Sequence, residues 1–172
     1  MNKNREIERK FLVSPDNFPD LSKMDYMDMT QGYIPNFNKD FIYRLRQVIN
    51  MNYKQEKLSI EYYQAIKGYG DKDRAEYEKK IEEEFFDFFW PLCDRNTVHK
   101  FRYLVPEVDS ITVHLDVYKN QFKGLYTVEV EFDTIEECDA FQPLPWFGRE
   151  VTKEREYKNA VMALEGIPKL LV

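Results

Sequence analysis

The sequence predicts a mainly β protein: about eight strands, mostly antiparallel, curved into a barrel or a strongly bent sheet, with a few helices. Three observations predict it. Aromatic residues reach 16%, with 12 Tyr and 13 Phe, and such side chains pack well on a pleated surface. Segment after segment alternates polar and apolar residues with period two, the signature of a half-buried strand. The segments are joined by short connections, which pair neighbours antiparallel, and so many half-polar strands favour a curved or closed sheet.

The elements follow in order. "EIERKFLV", residues 6–13, places Glu6, Glu8 and Lys10 on one face of a strand. "SPDNFPDLSKMD" reads as a loop with room for a short helix, and "MTQGYIPNF" as a strand ending near Pro35. "DFIYRLRQVINM" sets Ile42, Arg44, Arg46 and Val48 against Tyr43, Leu45 and Gln47. "LSIEYYQAIKG" is a strand stopped at Gly68, and "RAEYEKKI" carries Arg74, Glu76, Glu78 and Lys80 on one side. "EEEFFDFFWPL" changes period: acidic residues suit a helix N-terminus, and Phe85, Phe86, Phe89 and Trp90 form a core-facing stripe. "TVHKFRYLV" returns to period two, with His99 on the packing or surface side, opposite Lys100 and Arg102. "SITVHLDVY" sets His114 and Asp116 against Ile111, Val113, Leu115 and Val117; "LYTVEVEFD" sets Glu129 and Glu131 against Val128, Val130 and Phe132. "TIEECDAFQ" and "TKEREYKNAVMALEG" read as two helices, the second running over 154–164 and capped near Gly166.

Composition narrows the class. The chain has 172 residues, 43% apolar and 33% charged, which fits one globular domain over residues 1–172. A net charge of −6 disfavours general binding to duplex nucleic acid, which needs a broad basic face. Cys93 and Cys138 form no metal-type cluster. No leader segment or long apolar run is visible, so a cytoplasmic protein with no membrane partner is expected.

The polar faces carry an unusual order. Like charges recur at i and i+2, and so on one strand face, in Glu6/Glu8, Arg44/Arg46, Lys100/Arg102 and Glu129/Glu131. A solvent face tuned for stability mixes signs, because like charges repel across neighbouring positions. Here the signs are segregated by strand. Acidic pairs suit a divalent cation such as Mg²⁺ or Mn²⁺, which prefers hard carboxylate oxygens; basic pairs suit a polyanion, with Arg and Lys as phosphate partners. A site needing both is a metal–polyphosphate site.

These residues also resemble a known family. "EIERKFLV" is similar to the ExExK signature of the CYTH superfamily, the triphosphate tunnel metalloenzymes. The likeness continues through "QGYI", "YRLRQ", "AIKG", "RAEYE", "HKFRY", "LDVY", "VEVEF" and "WFGREVTKEREYKN", nearly the whole chain. Within the family the chain looks most like the small single-domain bacterial members that hydrolyse inorganic triphosphate. The resemblance implies an eight-stranded antiparallel β-barrel whose lumen is a charged tunnel. It implies metal roles for Glu6, Glu8, Glu129 and Glu131, with Asp116 beside them and Glu78 assisting a second metal. It implies phosphate contacts for Lys10, Arg44, Arg46, Lys67, Arg74, Lys100 and Arg102. Lys100 matches a lysine proposed to activate the attacking water, and Tyr33 a tyrosine near the terminal phosphate. One departure stands out: His114 occupies a position where relatives often carry glutamate. It is either a neutral lumen residue bonded to a neighbour, or a contact to phosphate or the metal site.

The implied activity is metal-dependent hydrolysis of triphosphate to pyrophosphate and phosphate, with Mg²⁺ or Mn²⁺ as cofactor and a small polyphosphate as substrate. Thiamine triphosphate hydrolysis and adenylate cyclase activity, both found in the superfamily, are the rival enzyme readings. A non-catalytic polyphosphate- or nucleotide-binding module is the rival outside enzymology, and a homodimer stays open.

Overall fold

The structure, a computed structural model, describes residues 5–35, 40–68, 73–106 and 111–166. Among them run eight strands: β1 (Arg5–Leu12), β2 (Tyr26–Ile34), β3 (Phe41–Met51), β4 (Lys57–Gly68), β5 (Asp73–Ile81), β6 (Thr97–Val105), β7 (Thr112–Tyr118) and β8 (Tyr126–Glu131). They close into a barrel in the order β1-β5-β4-β3-β2-β6-β7-β8, and every pairing is antiparallel. β1 makes the closure. Its first residues pair with β5 (Glu6 opposite Arg74), and its later ones with β8 (Glu8 opposite Glu131, Lys10 opposite Glu129).

The apolar core lies outside the barrel wall and at one end. Phe11, Val113, Leu115, Val128 and Val130 point outward from β1, β7 and β8 and pack with Phe141. On the opposite side, Tyr43, Leu45 and Tyr62 are covered by Phe86 and Cys93. These come from α1 (Glu83–Phe89) and the 3₁₀ turn Trp90–Cys93 that follows it. Gly32 on β2 permits this contact, because a Cβ there would sit 2.7 Å from Cys93. A third cluster, including Tyr33, Val98, Tyr118, Tyr157 and Met162, fills one end of the barrel beneath α3 (Asn159–Glu165). With the apolar faces turned outward, strand alternation sends the polar faces into the lumen.

Three expectations need correction. Phe85 does not join the buried stripe: it is 37% exposed and stacks on Phe89 at 4.6 Å, while Phe86 alone in that helix is buried. A seven-residue helix lying against a curved wall presents too narrow a face for the whole stripe. Residues 14–25 form turns without a helix. The segment 154–164 is not one helix: a 3₁₀ turn, Arg155–Tyr157, is followed by Lys158 in extended conformation before α3 begins. That break lets Tyr157, 1% exposed, enter the end cluster. The expected cap at Gly166 is present, with φ +97°. α2 (Ile135–Ala140) starts with a capping box between Thr134 and Glu137.

Candidate active site

The lumen is a cavity of about 1500 Å³. Lys10, Arg44, Arg46, Lys67, Arg74, Lys100 and Arg102 all line it, as do Glu6, Glu8, Glu76, Glu78, Glu129, Glu131 and Tyr33. Every predicted site residue therefore reaches one space except Asp116, which lies just behind it, fully buried. The alternation that made the charge pairs visible in sequence is what directs them inward.

On the wall formed by β6, β7 and β8, the ion pairs of Lys100, Asp116, Arg102 and Glu129 are sealed from water. Lys100 Nζ donates to Asp116 Oδ2 at 2.5 Å, and Arg102 donates from Nε to Oδ1 and from Nη2 to Oδ2, both at 2.7 Å. Asp116 is thus held below the usual carboxylate range: burial pushes it up, but Arg102 and Lys100 outweigh that. Glu129 pairs with Arg102 and, at 3.0 Å, with Lys10. Burial opposes its charge, and Lys100, Arg102 and Lys10 together hold it far below its ordinary value. Lys100 behaves differently. Burial and the neighbouring Arg102 pull its ammonium down to about 8, despite the Asp116 contact.

The wall formed by β3, β4 and β5 carries a second network, of which the Arg46–Glu78 pair is the part nearer water. Arg44 pairs with Glu78 at 2.5 Å and Glu76 at 3.3 Å; Arg46 pairs with Glu78 at 2.7 Å. Lys67 pairs with Glu6 at 2.9 Å and Glu76 at 3.0 Å, and Arg74 with Glu6 at 2.6 Å and Glu8 at 3.1 Å. The Glu78 side chain keeps 30% of its surface in water, while Arg44 and Lys67 are nearly buried; on β8, Glu131 keeps 43%. Burial and Arg44 lower Arg46 to about 10.

The donor set suits a hard divalent cation. On the barrel strands seven carboxylates (Glu6, Glu8, Glu76, Glu78, Asp116, Glu129, Glu131) face seven Lys and Arg side chains, so the strand-lined part of the cavity is close to neutral. Carboxylates so placed would repel an entering polyanion unless cations came with it. Among the described residues no three of His, Cys, Asp and Glu already converge as metal ligands; the carboxylates turn instead toward Lys and Arg. Glu8 is the least compensated. It stands opposite Glu131 across the β1–β8 pair, and burial, with Glu6 and Glu129 adding to it, pushes its carboxyl up to about 7. A cation beside Glu8 would relieve that repulsion.

Tyr33 is 3% exposed and sits opposite Arg44 on β3; burial raises its phenol. His114 Nδ1 lies 3.3 Å from Glu131 Oε1 and 3.4 Å from Arg102 Nη1, beside the lumen charges. Its hydrogen bond lowers the Glu131 carboxyl. His99 lies outside the lumen, bonded to Asp28 at 2.7 Å. One group of this site escaped the sequence reading. Tyr118 Oη accepts from Lys10 Nζ at 3.2 Å and donates to Asn159 Oδ1 at 2.6 Å. Its ring lies 5.5 Å from Lys100 Nζ and 5.9 Å from Lys10 Nζ. Tyr118 thereby ties the two lumen lysines to α3. The "LDVY" alternation placed Tyr118 on the Asp116 face, the one available signal.

Comparison with known proteins follows the same lines. The chain is 37% identical over 159 residues to an inorganic triphosphatase of Nitrosomonas europaea, spanning 92% of this chain and 97% of that protein. It is 31% identical over 158 residues to an inorganic triphosphatase of Acetivibrio thermocellus, spanning 91% of each. It is also similar to the crystal structure of an inorganic triphosphatase, with 34% identity, TM-score 0.63, and coverage of 95% of this chain and 97% of the other. No family model matches the chain.

Proposed function

The chain belongs to the inorganic triphosphatase family, and from that premise we propose that it hydrolyses linear triphosphate to pyrophosphate and orthophosphate inside the lumen. The observation that carries this reading is the convergence of seven cationic side chains on one cavity whose carboxylates are all within the same space or directly behind it. A linear polyphosphate matches such a surface along its length, because each phosphoryl group offers charged oxygens to Arg and Lys.

In this reading Arg44, Arg46, Lys67 and Arg74 on one side, and Lys10, Lys100 and Arg102 on the other, hold the substrate between them. Glu6, Glu8, Glu129 and Glu131 would hold Mg²⁺ or Mn²⁺, with Glu78 available to a second ion. When bound, the divalent ion neutralises charge on the reacting phosphoryl group. Asp116, behind the cavity, orients Lys100 and Arg102. Lys100, drawn down to about 8, takes a proton from the attacking water when the lysine is in its neutral amine form, as the new O–P bond forms and the bridging P–O bond breaks. Arg and Lys side chains meet the charge that spreads over the transferring phosphoryl oxygens. Tyr33 donates a hydrogen bond from its hydroxyl to the terminal phosphate.

The test is orthophosphate release from triphosphate, thiamine triphosphate, ATP and pyrophosphate, each with Mg²⁺, Mn²⁺ or chelator, with ATP also assayed for cyclic AMP. Metal-dependent release greatest from linear triphosphate, and lost in Glu129→Gln, is expected. Tight triphosphate binding without turnover of any substrate would replace the enzyme reading with a binding module.

A further inference from the structure

Among the described residues, few buried side-chain nitrogens lack a hydrogen-bond partner, and three of them lie together on the lumen wall: Gln31 Nε2, Arg44 Nε and Arg46 Nε. Gln31 and Arg46 are direct cross-strand partners on β2 and β3, and Arg44 stands opposite the next inward position of β2, Tyr33. Gln31 itself is 1% exposed. A buried amide N–H₂ without an acceptor is a rare and unfavourable arrangement in a folded protein.

β2 is also the one barrel strand whose inward residues between 29 and 33 carry no charge: Met29, Gln31 and Tyr33. It separates Arg44 and Arg46 on β3 from Lys100 and Arg102 on β6. An amide donor in that position cannot be satisfied by cations. The carboxylates near it are engaged: Glu78 accepts from Arg44 and Arg46, and Asp116 from Lys100 and Arg102. The acceptor must come from outside, and it must suit a place between two cationic strands.

We propose that Gln31 is a substrate-binding residue whose side-chain amide donates to a phosphoryl oxygen of bound triphosphate, in the gap between the β3 and β6 cations. This rests on the triphosphatase reading and names a residue that the charge pattern does not contain. A neutral donor fits the position. A further Arg or Lys on β2 would crowd the neighbouring cations, whereas an amide adds a directed bond without adding repulsion. Bound triphosphate would also give Arg44 Nε and Arg46 Nε their missing acceptors. The strand that looks inert in sequence then becomes the neutral floor on which the polyanion lies.

The test compares wild type with Gln31→Met and Gln31→Leu, which keep side-chain volume and remove the donor. Melting temperature without ligand, equilibrium binding of inorganic triphosphate, and kcat/KM for its hydrolysis are measured on each. A buried unpaired donor that serves the ligand predicts opposite trends. The variants melt at or above the wild-type temperature, while triphosphate affinity and kcat/KM fall about tenfold to a hundredfold, the loss expected for one hydrogen bond to a charged acceptor. Binding and kcat/KM within twofold of wild type in either folded variant would overturn the inference, as would losses that follow only a lowered melting temperature in both. Wild-type protein that neither binds nor hydrolyses triphosphate would overturn the triphosphatase reading, and the inference with it.

Discussion

Two ion-pair clusters of the lumen, Lys100–Asp116–Arg102–Glu129 and Arg46–Glu78, use the same kinds of side chain in different solvent. On β6–β8, Lys100 and Asp116 expose 1% and 0% of their side chains, and Arg102 and Glu129 less than a tenth. In the Arg46–Glu78 pair between β3 and β5, Glu78 keeps 30% and the Arg46 side chain 16%, although Arg44 and Lys67 beside it are as buried as Arg102. A sealed pair cannot exchange its partner for water, so losing either member strands a charge. A pair nearer water can open and re-form around a ligand. In the proposed function the difference divides the tasks: the Lys100–Asp116–Arg102 cluster holds fixed geometry around Lys100, and the Arg46–Glu78 pair opens to the polyanion.

Variants can break or sharpen that contrast. The largest effect is expected at Lys100. Lys100→Met removes the proposed base while Asp116 keeps both bonds from Arg102, so kcat for triphosphate falls about 10²–10⁴-fold with the circular dichroism spectrum unchanged. Turnover within twofold of wild type would remove Lys100 from the chemistry. Next comes the matched pair Arg102→Met and Arg46→Met. The first leaves Asp116 and Glu129 buried and under-compensated and lowers unfolding free energy by about 3–5 kcal/mol. The second leaves Glu78 near water, lowers stability by about 1 kcal/mol or less, and shows itself in weakened triphosphate binding. Equal losses in denaturant titrations of the two would erase the distinction between the clusters.

A smaller effect lies in the pH dependence of Glu8. Its carboxyl is raised to about 7 in the folded chain, above its ordinary value of 4.5. The folded state therefore holds a proton that the unfolded state has released, and stability from this group falls as pH rises between those values. In chelator, Glu8→Gln should stabilise the protein by about 1–3 kcal/mol above pH 7, and the gain should fade toward pH 4.5. Melting curves across that range check the sign; a destabilised variant at pH 7 would contradict it. The smallest change is expected in Tyr118→Phe, which keeps the ring beside Lys10 and Lys100 but releases Asn159. It should cost about 1 kcal/mol of stability, read by chemical denaturation.

The contrast between the clusters could not be read from sequence, although the charges could. Glu6/Glu8, Arg44/Arg46, Lys100/Arg102 and Glu129/Glu131 announce an inward face because strand alternation is strict and like-charge spacing is costly in water. Their depth depends on barrel closure by β1 and on the end cluster, which are long-range features. Asp116 shares the inward parity but is covered by Lys100 and Arg102, and local pattern contains no depth. Gln31 and Tyr118 were quoted within "QGYI" and "LDVY", yet neutral residues between charged strands look ordinary until their unpaired or bridging atoms are seen. The break at Lys158 carries no Gly or Pro to mark it; it follows from Tyr157 entering the core. Phe85 belongs to an apolar stripe by spacing, and only the curvature of the wall leaves it outside.

The central claim is that a nearly neutral ion-pair lumen accepts a polyanion and its cations together. Melting temperature measured with triphosphate alone, with Mg²⁺ or Mn²⁺ alone, and with both tests it most directly, using Glu129→Gln to suppress turnover during the scan. The account predicts little stabilisation by either component and a rise of several degrees by the pair, as binding to the folded state requires. Full stabilisation by triphosphate in chelator would contradict it, since the seven cations would then suffice without any metal.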